Sequence, residues 1–195
     1  MPRESGEARR AQILAASGRL VRQRGFSSTR LADVADELGL SAPLIVYHFG
    51  TKDELMAATL AAEASAELER MERIVSSSAR PPAKIERILR MSLGSATVPD
   101  WGMWIDAWGE GLRSPVMARL LAELDERWQR SIGTIVEEGR AAGDFVVADP
   151  DVSAQRIVAL LDGYGVQLVR AASSRARARV LAAARPAVAA ELGRS

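Results

Sequence analysis

Few residues of this chain are suited to covalent or redox chemistry, and their types favour binding over reaction. The 195 residues include one histidine, His48, and no cysteine. The lack of cysteine excludes a thiolate zinc site and a cysteine nucleophile, and one histidine disfavours both a histidine metal cluster and a Ser–His pair. The sequence also lacks the Gly-rich loop that cradles phosphates. We therefore expect a protein that is not an enzyme and that has no catalytic residue, metal or cofactor.

The most informative residues lie near the amino end, where two short predicted helices meet at a glycine. The first of these helices is predicted to end at Gly39, because glycine adopts a left-handed turn without steric cost. Ala35, one turn earlier, is small enough for the next helix to cross there. Four apolar positions would lock the two helices together: Val34, Leu38, Leu40 and Ile45. The pattern predicts a helix-turn-helix whose second helix enters the DNA major groove, and the alternative is an ordinary corner in a helical core.

This segment resembles the amino-terminal signature of the tetracycline-repressor (TetR) family of one-component transcriptional regulators. The resemblance covers about residues 8–56 and rests on Gly25-Phe26, Thr29, Leu31–Ala35, Leu38–Ser41 and Ile45–Leu55. It implies a homodimer that binds an operator with an amino-terminal three-helix domain and is released by a small ligand in its carboxy-terminal domain. The sequence departs from the pattern at Val46, where an aromatic residue is common, and at Arg30, where Thr or Ser is usual.

The expected DNA contacts have different physical reasons. Ala42, Pro43 and Tyr47 point outward and offer apolar surface to thymine methyl groups, together with one ring and one hydroxyl. Ser41 and the free amides of its turn can hold a phosphate oxygen, as helix starts do. Further candidates for phosphate contacts, which set register rather than sequence, are Arg30, His48, Thr51 and Lys52. For His48 the alternative is a partly buried surface histidine.

Apolar spacing and helix stops predict an all-α protein of about nine helices. We expect a helix-turn-helix DNA-binding domain at residues 1–52 and a larger helical ligand-binding and dimerisation domain at residues 53–195, joined by the fourth helix. The composition, 48% hydrophobic and 26% charged, is that of a folded soluble protein. No run of about 18 apolar residues is free of charge, and the start lacks an apolar signal segment. We expect a cytoplasmic protein that does not enter a membrane.

Several helix boundaries are marked by capping residues and prolines. Thr51–Glu54 is a capping box that should start the fourth helix. Ser114-Pro115 and Asp149-Pro150 combine a cap with a proline in the first turn, so they should start the seventh and eighth helices. Asp100 is expected to cap the sixth helix, and Pro186 to kink or break the ninth.

Three tryptophans recur at i, i+3 and i+7, so they share one face of the predicted sixth helix. Large apolar side chains of this kind line the pockets in which helical proteins bind small molecules. The expected ligand-binding residues are Met91, Trp101, Trp104, Trp108, Met117, Trp128, Tyr164 and Gln167. Asp106 and Glu110 are polar groups close enough in sequence to orient a ligand, and an enclosed carboxylate would favour an amine or quaternary ammonium ion. The sixth helix also resembles regulators that sense choline, and the alternative is a plain aromatic core.

The predicted eighth helix is apolar on two sides, which indicates burial against its own core and against a second copy. With the ninth helix it is expected to form a four-helix interface in a homodimer. The expected interface residues are Val158, Leu161, Gly165, Val169, Val180, Leu181, Ala184 and Val188. A two-fold dimer reads two half-sites, so the DNA partner should be a pseudo-palindromic operator in double-stranded DNA.

Charge is distributed unevenly along the chain. Residues 1–52 hold eight bases and five acids, and Arg9 and Arg10 among them are suited either to the DNA backbone or to solvent. Residues 53–169 hold 12 bases and 19 acids, whereas residues 170–195 hold six arginines and one glutamate. The sequence assigns no role to this Arg-rich end.

The leading hypothesis is a ligand-responsive transcriptional regulator, most simply a repressor that a small-molecule effector releases from its operator. The alternative is a constitutive dimeric DNA-binding or architectural protein without an effector. The two hypotheses differ in what lies beside the tryptophan face of the sixth helix. A regulator with an effector has a pocket there that binds a small molecule, whereas in the alternative protein its own side chains fill that pocket.

Overall fold

The computed structural model describes residues 5–94, 101–171 and 173–193, and these residues form helices and connecting loops without strands. The nine helices in these ranges are α1 (Gly6–Arg24), α2 (Leu31–Leu38), α3 (Ala42–Phe49), α4 (Lys52–Val75), α5 (Pro81–Leu93), α6 (Trp101–Gly111), α7 (Pro115–Ala141), α8 (Pro150–Val169) and α9 (Ser174–Glu191). The predicted all-α class is confirmed. None of these described helices is long and apolar enough to cross a membrane. Asp100, expected to cap α6, lies outside the described residues.

Capping groups start the helices where the sequence predicts. The Glu54 N–H donates to Thr51 Oγ1 at 3.2 Å, and the Thr51 N–H donates to the Glu54 carboxylate at 2.8 Å, which completes the capping box of α4. At α8 the Asp149 carboxylate accepts two backbone N–H groups of the first turn. These bonds satisfy amides that have no partner within the helix.

Pro186, which the sequence predicts to kink or break α9, lies inside this helix and does not end it. The helix continues through Pro186 to Glu191. A proline inside a helix removes one N–H donor and leaves one carbonyl of the preceding turn without its bond. Pro186 lies on the exposed side of α9, so water can satisfy that carbonyl.

The chain divides into two compact units. The first comprises Met1–Ala66 and Met103–Glu123, and the second comprises Glu67–Gly102 and Leu124–Ser195. The divisions fall inside α4, α6 and α7. We expect a domain boundary between residues 52 and 53, where the helix-turn-helix motif ends. This boundary does not coincide with the division into the two units, and it stays a prediction.

In the first unit, α1, α2 and α3 pack around a small apolar core. α2 contacts both α1 and α3. The largest fully buried side chains of this unit are Ile13, Phe26, Ile45, Leu55, Met56, Leu60 and Met117. A buried hydrogen bond of 2.8 Å from the Thr59 hydroxyl to Ser17 Oγ joins α4 to α1. The short helices α2 and α3 are therefore held by burial of their apolar sides rather than by their own length.

In the second unit, α8 contacts α9, and α5 contacts both of them. The largest fully buried side chains of this unit are Met71, Ile88, Leu93, Ile132 and Ile135. Lys84 is also buried, and its Nζ lies 2.7 Å from the Glu138 carboxylate and 2.6 Å from the Val75 carbonyl oxygen. This pairing satisfies a buried ammonium group and ties α5 to α7 and to the end of α4.

Candidate nucleic-acid interface

The turn between α2 and α3 has the geometry that the sequence predicts. Gly39 adopts the left-handed conformation, with φ +64° and ψ 32°. The Leu40 N–H donates to the Ala35 carbonyl at 2.9 Å, so the end of α2 is closed by hydrogen bonds. Ala35 is 2% exposed, and Val34 and Ile45 are fully buried. The helix-turn-helix is formed, and its core side fixes which residues of α3 face outward.

The outward side of α3 is mainly apolar. Tyr47 is 81% exposed and Val46 is 44% exposed. Pro43 is exposed as well, and Ala42 is half-buried. The Tyr47 ring stands edge-on to the half-buried His48 imidazole, with ring centroids 5.3 Å apart. This surface offers apolar contacts and one phenol hydroxyl to the edges of bases.

Sequence reasoning missed the exposure of Val46. In the TetR family, which the sequence resembles, an aromatic residue is common at this position. Because this chain has valine there, the sequence analysis assigned no DNA contact to Val46. The spacing within α3 was the available signal, since Val46 lies one residue from Tyr47 and three from Pro43 and so borders the same helix side.

Four of the polar candidates lie at helix starts: Arg30 before α2, Ser41 before α3, and Thr51 and Lys52 at the start of α4. Lys52 Nζ donates to the Ser27 carbonyl at 2.6 Å, which holds the ammonium group at the start of α4. Thr51 is engaged by the capping box. Ser41 makes no side-chain cap hydrogen bond, and Arg30 is exposed. Ser41 and Arg30 thus remain the more accessible of the four for a phosphate oxygen.

Arg10 fastens α1 to the end of α3. Its guanidinium donates to the His48 carbonyl at 2.6 Å, and its Cζ lies 4.1 Å from the centroid of the Phe49 ring. A cation at a helix carboxy end is favourable, and so is its place over an aromatic face. Arg10 therefore has a positioning role that neither sequence interpretation included.

Asp106, a candidate ligand-orienting group, is engaged within the first unit. Its Oδ2 accepts the Phe26 N–H at 2.6 Å, at the corner between α1 and α2. Glu110, the other candidate, lies 3.0 Å from the Arg113 guanidinium on the next turn. Both carboxylates thus have partners in their own unit, and Asp106 links α6 to the corner between α1 and α2.

A second hydrogen bond between residues distant in the sequence joins the start of α7 to α4. The Ser114 hydroxyl donates to the Asp53 carboxylate at 2.7 Å, and Ser114 Oγ accepts the Met117 N–H in the first turn of α7. Ser114 is buried. The start of α7 is therefore joined to the start of α4, which follows α3 in the chain.

The expected ligand-binding residues belong to both units. Those in the first unit are the half-buried Trp104 and Trp108 and the buried Met117. Those in the second unit are the buried Met91 and Trp101, the half-buried Trp128 and Tyr164, and the exposed Gln167. The grouping of all eight around one ligand stays a prediction.

Within the second unit, Trp101 occupies a defined site. Its indole N–H donates to the Ser92 carbonyl at 3.0 Å. Its ring lies directly against Gly165, where an added Cβ atom would fall 2.4 Å from the indole. The Ser92 hydroxyl is buried and has no hydrogen-bond partner in the described part of the chain. Trp101 therefore needs a glycine on α8 and lies beside an unsatisfied polar group.

Asp162 on α8 is an unusual carboxyl group. Burial raises the pKa of Asp162 to about 6, and the nearby carboxylate of Asp125 on α7 acts in the same direction. Burial also raises the pKa of Asp125, whose carboxylate accepts a hydrogen bond from Gln129 at 2.7 Å. The charged form of Asp162 is therefore disfavoured by burial first and by the Asp125 carboxylate second.

Most residues expected at the dimer interface lie in the interior of the protomer. Those that are buried are Val158, Leu161, Gly165, Ala184 and Val188. Val180 and Leu181 are half-buried, and Val169 is 52% exposed. The physical reason is that α8 and α9 each have two apolar sides, and the sequence pattern does not tell which side packs on the protomer's own core.

Two family models match the chain. Residues 13–59 match the model of bacterial regulatory proteins of the tetR family. Residues 81–193 match the carboxy-terminal model of the BetI-type transcriptional repressor. The first match covers the helix-turn-helix, and the second covers α5 to α9.

Individual relatives are similar over differing lengths. The chain is 31% identical over 119 residues to the HTH-type transcriptional regulator BetI of Paraburkholderia phymatum, a match that spans 58% of this chain and 60% of that relative. It is 27% identical over 182 residues to the HTH-type transcriptional regulator PksA of Bacillus subtilis, spanning 85% of this chain and 82% of that one. A transcriptional regulator from Saccharomonospora viridis, solved in complex with choline, has a TM-score of 0.80 at 25% identity, covering 92% of this chain and 95% of that chain.

Proposed function

The chain belongs to the TetR family of transcriptional regulators and has a BetI-type repressor domain, and on this premise we propose that it represses transcription until a small cationic effector releases it from DNA. The observation that carries the proposal is the helix-turn-helix whose second helix presents Val46 and Tyr47 to solvent. A helix of this kind enters the major groove and contacts base edges.

The reading mode follows from the residue types on α3. Pro43, Val46 and Tyr47 have no amide or guanidinium group for bidentate bonds to adenine or guanine. Their apolar surface suits the methyl groups of thymine, and the Tyr47 hydroxyl suits one base or phosphate oxygen. Arg30, Ser41, His48, Thr51 and Lys52 would contact the backbone and set the register.

The homodimer would form through the outward sides of α8 and α9. On α8 these exposed positions are Val152, Ala159, Gly163 and Val166, and on α9 they are Ala182, Pro186 and Ala190. Small residues allow close approach of a second helix, and the apolar surface they expose otherwise faces water. A two-fold pairing of these faces gives two reading heads and a pseudo-palindromic operator.

The effector we propose is choline or a similar quaternary ammonium compound. The S. viridis regulator was solved with choline, and its fold matches over nearly the whole chain. The four tryptophans of this sequence supply aromatic faces of the kind that bind quaternary ammonium ions. The Asp106 carboxylate accepts the Phe26 N–H through Oδ2, so a cation bound there would share this carboxylate with the amide.

Coupling to DNA would run through the bonds inside the first unit. A displacement of α6 or of the start of α7 acts on the Asp106–Phe26 and Ser114–Asp53 hydrogen bonds. An effector that prefers the displaced arrangement shifts the population away from the DNA-binding one. A release of about 100-fold requires about 3 kcal/mol of differential binding.

The test begins with selection of bound sequences from a random DNA library by the full-length protein. We expect a pseudo-palindromic site and footprint protection over both halves. Choline chloride at millimolar concentration should then lower the operator affinity by about 10-fold or more. Ammonium chloride and sodium chloride at equal ionic strength are the controls, because salt alone weakens DNA binding. Binding without sequence preference would contradict the repressor, and a site that choline never affects would contradict the effector class.

A further inference from the structure

The outward side of α8 is an apolar stripe with heptad spacing. Val152, Ala159 and Val166 recur every seven residues, and all three are exposed, Val152 by 38% and Val166 by 43%. Apolar residues at this interval keep to one side of a helix over several turns, as in helices that pair at a shallow crossing angle. The stripe is therefore suited to lengthwise packing against another helix.

Gly163 lies in the middle of this stripe, and its own protomer does not require a glycine there. It follows Ala159 by one helical turn, and a glycine inside a helix lowers helix stability relative to alanine. Gly163 does not have a positive φ, and a Cβ atom added to it would meet no atom of the described chain within 4 Å. An exposed glycine of this kind lets a second backbone approach the helix closely.

The two ends of the stripe carry opposite charges. Asp151 lies in the first turn of α8, and Arg170 directly follows its last residue. Both side chains are exposed, and neither forms an ion pair with a residue that the structure describes. Further along α8, by contrast, Arg156 Nη1 lies 3.3 Å from the Glu191 carboxylate of its own chain. The face is thus acidic at its start, apolar in its middle and basic at its end.

Parallel and antiparallel pairing of two such faces differ in which charges meet. In a parallel pair, Arg170 would lie beside the partner's Arg170 and Asp151 beside the partner's Asp151, and such like-charge contacts are costly. In an antiparallel two-fold pair, the basic end of each α8 lies along the acidic start of the other. The dipoles of the two helices then also oppose each other, so both charge effects favour the antiparallel arrangement.

The small residues in the middle of the stripe fix the register of an antiparallel pair. If Ala159 lies opposite the partner's Gly163, the two-fold axis passes at the level of residue 161, and positions equally distant from residue 161 face each other. Arg170 then lies within one residue, about 1.5 Å along the helix axis, of the level of the partner's Asp151. Small residues allow helix axes about 8 Å apart, a gap that an arginine side chain spans.

We propose that two copies of the chain pair through antiparallel α8 helices, with Ala159 opposite the partner's Gly163 and with Arg170 bound to the partner's Asp151. Two symmetric ion pairs then flank an apolar contact between the two helices. This inference rests on the proposed homodimer and adds its register and its charge complementarity. It gives Arg170, at the start of the Arg-rich carboxy end, a partner outside its own chain. The occupant of this face is a second copy of the chain.

Charge reversal tests the ion pair by sedimentation velocity of the full-length protein at neutral pH. Asp151→Arg and Arg170→Asp should each raise the dimer dissociation constant by about 10-fold or more, because each variant dimer brings like charges together. An equimolar mixture of the two variants should form a heterodimer whose dissociation constant is within about threefold of the wild-type value. In that heterodimer both contacts again join an acid and an arginine.

Cysteine pairs test the register independently, because the chain has no cysteine of its own. In the proposed register Gln155 lies within one residue of the level of the partner's Val166, and both residues are exposed. When Gln155→Cys and a tagged Val166→Cys chain are mixed and oxidised, a non-reducing gel should show a mixed dimer, since the two Cα atoms can come within about 7 Å. Either variant alone should stay uncrosslinked, because its two cysteines would lie about 15–18 Å apart along the helix axes.

Glu123→Arg is the matched control, since Glu123 is an exposed acid on α7 and its reversal should leave dimerisation unchanged. Asp151→Asn and Arg170→Gln keep the test decisive if a charge reversal prevents folding, and each should raise the dissociation constant by about threefold.

The outcomes separate the ion pair, the register and the homodimer. A mixture of the charge-reversal variants that dimerises no better than each variant alone would overturn the ion pair. A crosslink in either single cysteine variant, or none in the mixture, would overturn the register. The homodimer stands in both cases, whereas a wild-type chain that stays monomeric would contradict the homodimer itself.

Discussion

Replacing Tyr47 by alanine should lower the affinity for the selected operator by about 10- to 100-fold at fixed salt, without changing the melting temperature. The side chain is 81% exposed, so its removal leaves no cavity in the protein. It is the largest side chain on the outward side of α3, and it carries the one hydroxyl among the residues Ala42, Pro43, Val46 and Tyr47. Fluorescence anisotropy with a labelled operator measures the loss. Val146→Ala is the control, because Val146 is 78% exposed in the second unit and should have no effect.

The same site allows a test from the DNA side. Replacing an operator thymine by deoxyuridine removes only its methyl group. At each thymine that contacts Val46 or Tyr47, this replacement should therefore lower the affinity of the protein for the operator. The loss at one position should disappear in Val46→Ala, because the methyl group then has no partner. A Tyr47→Ala variant with wild-type affinity, or an operator indifferent to every deoxyuridine, would show that α3 is placed wrongly on the DNA.

Replacing Gly165 by alanine should lower the free energy of unfolding by about 1–2 kcal/mol, although alanine favours helices. The added Cβ atom would lie 2.4 Å from the Trp101 indole, so the ring must leave its place against α8. The hydrogen bond from the indole to the Ser92 carbonyl would be strained or lost with it. Chemical denaturation measures the stability, and the tryptophan emission maximum should move to longer wavelength as the ring meets water.

Gly109→Ala provides the contrast on α6. An added Cβ atom there has no neighbour within 4 Å, so we expect unchanged or slightly higher stability. If Gly165→Ala were as stable as Gly109→Ala and kept the wild-type emission, the close contact between Trp101 and α8 would not exist in solution. If Trp101 also belongs to the effector site, choline should no longer lower operator affinity in the Gly165→Ala protein.

The DNA-reading end of the chain was predictable because its signals are local. The left-handed Gly39, the small Ala35 and the capping box at Thr51 each act within one or two helical turns. Pro186 lies in the other unit, on α9, where the sequence predicts a kink or a break and the helix continues to Glu191. A proline costs one hydrogen bond, and whether the helix continues depends on whether the freed carbonyl is exposed to water.

The dimer and ligand residues were less predictable because they depend on which side of a helix packs inward. Spacing identifies the apolar sides of α8, but Leu161 and Val158 turn out to face the protomer's core, while Ala159 and Gly163 face outward. Likewise, the sequence places Asp106 among the tryptophans, whereas the fold engages it with the Phe26 amide far away in the chain.

The sequence by itself therefore determined the helical class, the helix-turn-helix and the absence of cysteine chemistry, since these follow from residue type and from spacing within a few turns. Only the tertiary structure decided the partners of individual polar groups. It placed Arg10 on the end of α3, left Val46 exposed, and bonded the Asp106 carboxylate to the Phe26 amide. Such contacts join residues that are distant along the chain, and no local pattern of residue types specifies them.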